Sequence, residues 1–133
     1  MNTTRPLDGK RILFVDDDAD IRKMFHFALE AAGATVFEAA TVSEVRARLA
    51  EARVDALILD WHLADDSPEA LLRSLDAHQP GLARRTVVVS GDPRIIGRGV
   101  NKLSSGVYTL GKPFRPRDLI DAIARLIEAS PAE

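Results

Sequence analysis

Two runs in this sequence, ALILD at Ala56–Asp60 and TVVVS at Thr86–Ser90, are apolar on successive residues rather than on alternate ones. A strand with one wet face alternates apolar and polar side chains, whereas a strand covered on both faces does not. Such runs ask for a sheet enclosed between two layers, and a parallel sheet whose strands are joined by helices supplies that. Three further short runs, Arg11–Val15, Ala34–Glu38 and Val107–Leu110, read as companion strands.

Between the runs the period becomes helical. Ile21, Met24, Phe25, Ala28, Leu29 and Ala32 fall on one stripe, and Gly33 is placed to end that helix. Thr41 and Glu44 form a capping box ahead of Val42, Val45 and Leu49. Ser67, Pro68 and Glu69 read as N-cap, first helical residue and first-turn acid, with Leu71, Leu72 and Leu75 as the buried side. Pro116 opens a last helix with Leu119, Ile123 and Leu126 inward, and Phe114 and Leu119 occupy the positions of a hydrophobic staple. The weak element follows Pro93. Gly97 and Gly99 each cost roughly 1 kcal/mol against alanine inside a helix, so a helix over Pro93–Lys102 is expected to be short or mobile.

Five strand-then-helix repeats with short connections predict one α/β domain, a doubly wound five-stranded parallel sheet with five helices on its two faces. The domain is expected over residues 10–129, with flexible tails at 1–9 and 130–133. A length of 133 residues suits one such domain. The net charge of −2 argues against a dominant nucleic-acid footprint. The absence of cysteine removes disulfides, thiol catalysis and cysteine-based zinc sites. The N-terminus MNTTRPLDGK has no apolar leader core, and no apolar run approaches the roughly 20 residues of a membrane span. A cytoplasmic protein with no membrane contact is the expectation.

Ligands of open α/β sheets bind outside the carboxyl ends of the strands. Here those ends carry Asp16 and Asp17, Asp60, Ser90 followed by Gly91, and Gly111 followed by Lys112. Each group has an ordinary role when taken alone; Asp18, for instance, reads as a helix N-cap. Gathered on one rim, they ask for a common explanation. Three neighbouring carboxylates repel unless a cation lies between them, and oxygen donors of this kind suit Mg²⁺. Phosphoryl transfer is catalysed by positioning and by neutralising charge on the equatorial oxygens. A metal, Lys112, and Ser90 with a nearby backbone N–H would meet those oxygens, and a central carboxylate would be the acceptor.

The residues alone leave other classes open. A Mg²⁺-dependent phosphohydrolase with an aspartate nucleophile would want a second aspartate two positions on, as general acid, where this chain has His62. A nucleotide- or flavin-binding module would want a glycine- or hydroxyl-rich loop after the first strand, where this chain has aspartates.

The segments VDDD at Asp16/Asp17, LILD at Asp60, VVVSG at Ser90 and GKPF at Lys112 resemble the receiver domain of two-component response regulators, over roughly Lys10 to Ala129. The spacings of 30 positions from Asp60 to Ser90 and 22 from Ser90 to Lys112 fit that family. The resemblance implies a flavodoxin-like fold with strand order 2-1-3-4-5. It makes Asp60 the phospho-acceptor. Asp17 would bind Mg²⁺ directly and Asp16 through water, with Asp60 and the backbone carbonyl of His62 as further ligands. Ser90 becomes the switch hydroxyl, the Gly91 backbone a phosphoryl contact, and Lys112 the partner of both the phosphoryl group and Asp60. A cis Lys112–Pro113 bond is also implied. The implied donor is a sensor histidine kinase or a histidine phosphotransfer protein. The implied output is a protein bound to the fourth helix, fifth strand and fifth helix, with no direct contact to nucleic acid. Such a module catalyses only its own phosphorylation and dephosphorylation.

Three features depart from the family pattern. The loop after the acceptor reads Trp61 to Ser67, without the usual proline and glycines. Thr109 stands where the switch aromatic belongs, and Tyr108 is one position away, which on a strand is the opposite face. No output domain follows in this sequence, so a single-domain regulator and the receiver of a hybrid kinase are both open. Of the three histidines, His62 is expected at the pocket mouth, and His26 is given no phosphoryl role.

Overall fold

The computed structural model describes residues 5–63, 67–92 and 108–129. Five strands, β1 (Arg11–Val15), β2 (Thr35–Ala39), β3 (Ala56–Asp60), β4 (Thr86–Ser90) and β5 (Tyr108–Gly111), form one sheet in the order β2-β1-β3-β4-β5. All four pairings are parallel. The described helices are α1 (Ala19–Ala31), α2 (Val42–Glu51), α3 (Pro68–His78), the short α4 (Pro80–Arg84) and α5 (Pro116–Ala129). None of them is long and apolar enough to cross a membrane. The helix expected over Pro93–Lys102 lies outside the described residues.

The unbroken apolar runs are explained by two cores. Ile12, Phe14, Ile58, Val87 and Val89 point to one side of the sheet, where they meet Phe25 and Leu29 of α1 and Leu119 and Ile123 of α5. Leu13, Val15, Leu57, Leu59 and Val88 point to the other, against Val42 and Val45 of α2 and Leu71, Leu72 and Leu75 of α3. All five residues of β3 and all five of β4 are buried. Each fully buried large aliphatic side chain contributes roughly 1.5–3 kcal/mol relative to leaving it in water.

Helix starts follow the local chemistry. Asp18 accepts from the N–H groups of Asp20 and Ile21, Thr41 from that of Glu44, and Ser67 from that of Ala70. Glu44 Oε1 in turn accepts the Ala40 N–H at 2.6 Å, which completes the capping box one residue before the N-cap. The end of α1 is a Schellman motif: Ala34 N donates to Leu29 O and Gly33 N to Glu30 O, with Gly33 at φ +105°. That engagement takes Ala34 out of the ladder, so β2 begins at Thr35 and not at Ala34.

Two expectations need correction. Residues 5–9, placed in a flexible tail, are pinned to the end of α1. Leu7 is fully buried, its N–H donates to Ala32 O, and Gly9 N donates to Gly33 O. The cause is burial: Leu7 joins the core cluster that holds Ile12, Leu29 and Ala32. Met24, placed on the inward stripe of α1, is 49% exposed, because Phe25 and Leu29 already occupy the face toward the sheet. The short α4 was not anticipated. Pro80 opens it, Leu82 and Ala83 are buried, and Thr86 Oγ1 closes it by donating to Leu82 O at 2.8 Å.

Candidate functional site

The register brings the strand ends to one level. Val15 pairs with Leu59, Asp60 with Val89, and Ser90 with Gly111. Asp16 and Asp60 therefore leave adjacent strands side by side, and Lys112 leaves the next strand but one. The Lys112 N–H donates to Ser90 O at 2.9 Å, which ties the start of the β5–α5 loop to the end of β4. The Lys112–Pro113 peptide bond is cis.

Asp16 is 3% exposed and Asp60 4% exposed, while Asp17 faces solvent. Carboxylate oxygens of the three lie within 4.8 Å of one another. Lys112 Nζ stands 3.7 Å from Asp60 Oδ2 and 3.9 Å from Asp16 Oδ2, within ion-pair range but beyond a hydrogen bond. One ammonium thus faces two carboxylates of a cluster of three. At an effective dielectric of about 20, two like charges at 4.8 Å repel by roughly 3 kcal/mol. The Asp16 carboxyl is raised above its ordinary pKa, first by burial and then by the negative charges of Asp60 and Asp17. The Asp18 N–H, donated to Asp16 Oδ1 at 2.9 Å, and the Lys112 ammonium oppose that shift without cancelling it. A cluster of hard oxygen donors with uncompensated negative charge fits a divalent cation such as Mg²⁺.

The backbone around Asp16 is fixed from the far side. Arg22 NH1 donates to Asp16 O at 2.7 Å, and Arg22 Nε donates to Glu38 Oε1 at 3.2 Å. This anchors the β1–α1 loop to β2.

Ser90 is fully buried. Its Oγ accepts the Asp92 N–H at 3.0 Å and lies 2.9 Å from His62 Nε2. His62 also donates its backbone N–H to Asp60 Oδ1 at 3.1 Å. The sequence placed His62 at the pocket mouth, but its contact with Ser90 was not anticipated. The two residues are 28 positions apart, and only the fold of the Trp61 loop brings them together. Gly91 is exposed, and an added Cβ there would come no nearer than 3.9 Å to Lys112 Cβ. Thr109 is half-buried opposite Val88, and Tyr108 is 40% exposed.

A second feature also went unread in the sequence. Phe14, Phe25 and Phe114 form a continuous aromatic run, Phe14 stacked on Phe25 at 5.2 Å between centroids and Phe25 tilted by 43° against Phe114 at 5.4 Å. Beside it a pocket of about 240 Å³ opens, apolar except where Asp16 and Lys112 border it.

The model of the response regulator receiver domain family matches residues 12–124. The transcriptional regulatory protein GltR of Pseudomonas aeruginosa is 32% identical over 124 residues, covering 90% of this chain and 50% of that protein. The phosphate regulon transcriptional regulatory protein PhoB of the same organism is 34% identical over 116 residues, covering 84% and 49%. The chain spans about half the length of these curated relatives. Among solved structures, a CheY-like response regulator receiver domain protein from Methanospirillum hungatei JF-1 superposes with a TM-score of 0.77 at 28% identity, covering 91% of this chain and 95% of that one.

Proposed function

Because the chain belongs to the response regulator receiver domain family, we propose that it is a phospho-accepting module in a two-component phosphorelay, with Asp60 as the acceptor. The observation that carries this reading is the buried Asp60 carboxylate at the end of β3, with Lys112 Nζ at 3.7 Å and two further aspartates clustered against it.

The donor is a phosphohistidine of a sensor kinase or a phosphotransfer protein. An Asp60 carboxylate oxygen attacks phosphorus, the P–N bond breaks, and the donor imidazole leaves with the electron pair and takes up a proton. The product is an acyl phosphate on Asp60. Asp17, Asp60 and the His62 carbonyl, with Asp16 through water, would hold Mg²⁺, which would supply positive charge against the phosphoryl oxygens. Lys112 pairs with a phosphoryl oxygen and screens Asp60 from Asp16. The Ser90 hydroxyl and the Gly91 N–H meet the remaining oxygens. His62 stands where a hydrolase would carry its acidic general acid, so the chemistry is confined to the domain's own acyl phosphate.

The receiver spans residues 10–129, with residues 5–9 packed against the end of α1, in a cytoplasmic protein that is either a single-domain regulator or a hybrid kinase carrying this receiver. Its output surface combines β5 and α5 with the helix expected over Pro93–Lys102, and it addresses a protein rather than nucleic acid. Thr109 replaces the usual switch ring, so the signal travels in the backbone after Ser90. The test is incubation with a small phosphodonor such as acetyl phosphate and Mg²⁺, followed by reductive trapping and peptide mass analysis. A single phosphoryl-dependent tag on the Asp60 peptide is the expected result. A tag on another residue removes Asp60 from the role.

A further inference from the structure

A hydroxyl has one proton to donate and two lone pairs to accept with. At Ser90 Oγ one lone pair is taken by the Asp92 N–H at 3.0 Å, and His62 Nε2 lies 2.9 Å away. When the imidazole carries its proton on Nδ1, Nε2 accepts the Ser90 proton, and the hydroxyl has nothing left to give to a phosphoryl oxygen. Ser90 is fully buried, so no water shell offers it a ready substitute. The same residue also touches the acceptor, through the His62 N–H on Asp60 Oδ1 at 3.1 Å. One short loop therefore holds both groups that have to meet after phosphorylation.

We propose that His62 is a positioning residue that latches the Ser90 hydroxyl in the unphosphorylated domain, so that a phosphoryl group on Asp60 has to take the Ser90 proton from the imidazole. The latch rests on the acceptor reading of Asp60 and adds a regulator to that site. It biases the domain toward the resting arrangement by the net strength of one hydrogen bond. A ligand shifts a two-state equilibrium only by its differential affinity for the two states. Removing the latch therefore strengthens binding of any phosphoryl mimic that recruits Ser90, by roughly five-fold for one ordinary hydrogen bond.

The test uses the full chain with Mg²⁺ and beryllofluoride as the phosphoryl mimic. Trp61, the single tryptophan of the sequence and the neighbour of Asp60, reports binding by fluorescence. His62→Ala is expected to bind beryllofluoride roughly five-fold more tightly than the wild type, the factor set by one hydrogen bond. His62→Gln, whose amide also reaches Ser90, is expected to restore the wild-type value. In a Ser90→Ala background both substitutions should be silent. An equal gain with and without Ser90 shows His62 acting directly on the mimic and overturns the latch. A spectroscopic arm needs no metal and no mimic. In the free protein, ¹⁵N NMR of the neutral ring should show His62 Nε2 without its proton and shifted by Ser90→Ala. A proton found on Nε2 overturns the latch. Failure of beryllofluoride to bind any variant overturns the acceptor reading instead, a result distinct from an absence of coupling.

Discussion

The ring of Phe114 packs against the ring of Phe25, 5.4 Å between centroids, two residues beyond Lys112. Phe25 in turn stacks on Phe14 of β1 at 5.2 Å and 20°. The loop that carries Lys112 is thereby clamped to α1 and to the strand that carries Asp16. The ammonium that faces Asp16 and Asp60 is held by an aromatic anchor as well as by its own ion pairs.

Phe114→Ala should expose this role. The side chain is half-buried, so the stability loss should be about 2 kcal/mol, below the 3–5 kcal/mol of a fully buried ring. It should also slow phosphorylation from acetyl phosphate, because Lys112 loses its fixed position. Phe114→Leu should recover most of the stability and most of the rate. A rate untouched by Phe114→Ala would show that the Phe114 ring does not position Lys112.

The acidic cluster predicts stabilisation by Mg²⁺. A cation that binds only the native state raises stability by about 2.7 kcal/mol when its concentration is 100 times its Kd. Asp17→Asn should weaken that binding. It should leave the metal-free protein as stable as the wild type or more so, since one of three crowded charges is gone. Melting curves with and without Mg²⁺ check both halves, and a melting temperature indifferent to Mg²⁺ contradicts the site.

The raised pKa of Asp16 has a definite sign in the metal-free protein. Between the unfolded value of 3.8 and the higher folded value, the native state binds more protons than the unfolded state. Stability from this group is therefore fully present below 3.8 and is lost as pH rises through the folded pKa. Asp16→Asn should remove that slope and be the more stable form at neutral pH in chelator. Denaturant titrations of the two proteins across this range should diverge as pH rises. Parallel curves would show that the Asp18 N–H and Lys112 compensate the burial in full.

Gly33 tests the clamp on the N-terminal segment. Its φ of +105° is strained for any side chain, and an added Cβ would meet Asp8 Cα at 2.8 Å. Gly33→Ala should cost roughly 1–3 kcal/mol from backbone strain alone, with the clash against Asp8 adding to it. Amide exchange should rise at residues 7–9. Protection unchanged at those amides would mean that Leu7 is held by burial alone.

Much of this was legible in the chain. The runs ending at Asp60 and Ser90 announce doubly covered strands, and their last residues fall on the rim because a strand's end is fixed by its own pattern. The caps at Asp18, Thr41 and Ser67 are local, and local chemistry is readable. The meeting of His62 with Ser90 and of Phe25 with Phe114 depends on loop paths and layer packing, which no periodicity encodes. Leu7 fell within the expected flexible tail because a single apolar residue carries no period. Met24 matched the stripe of α1 but lost its place to Phe25 and Leu29, which fill the width available against the sheet.

The central claim is that Asp60 accepts the phosphoryl group, and transfer from a phosphohistidine donor to wild type and Asp60→Asn tests it most directly. The amide is nearly isosteric but is no nucleophile, so circular dichroism should show both proteins folded. The account predicts one acid-stable, hydroxylamine-labile phosphoryl group per wild-type chain and none on the variant. Equal labelling of folded Asp60→Asn would contradict it.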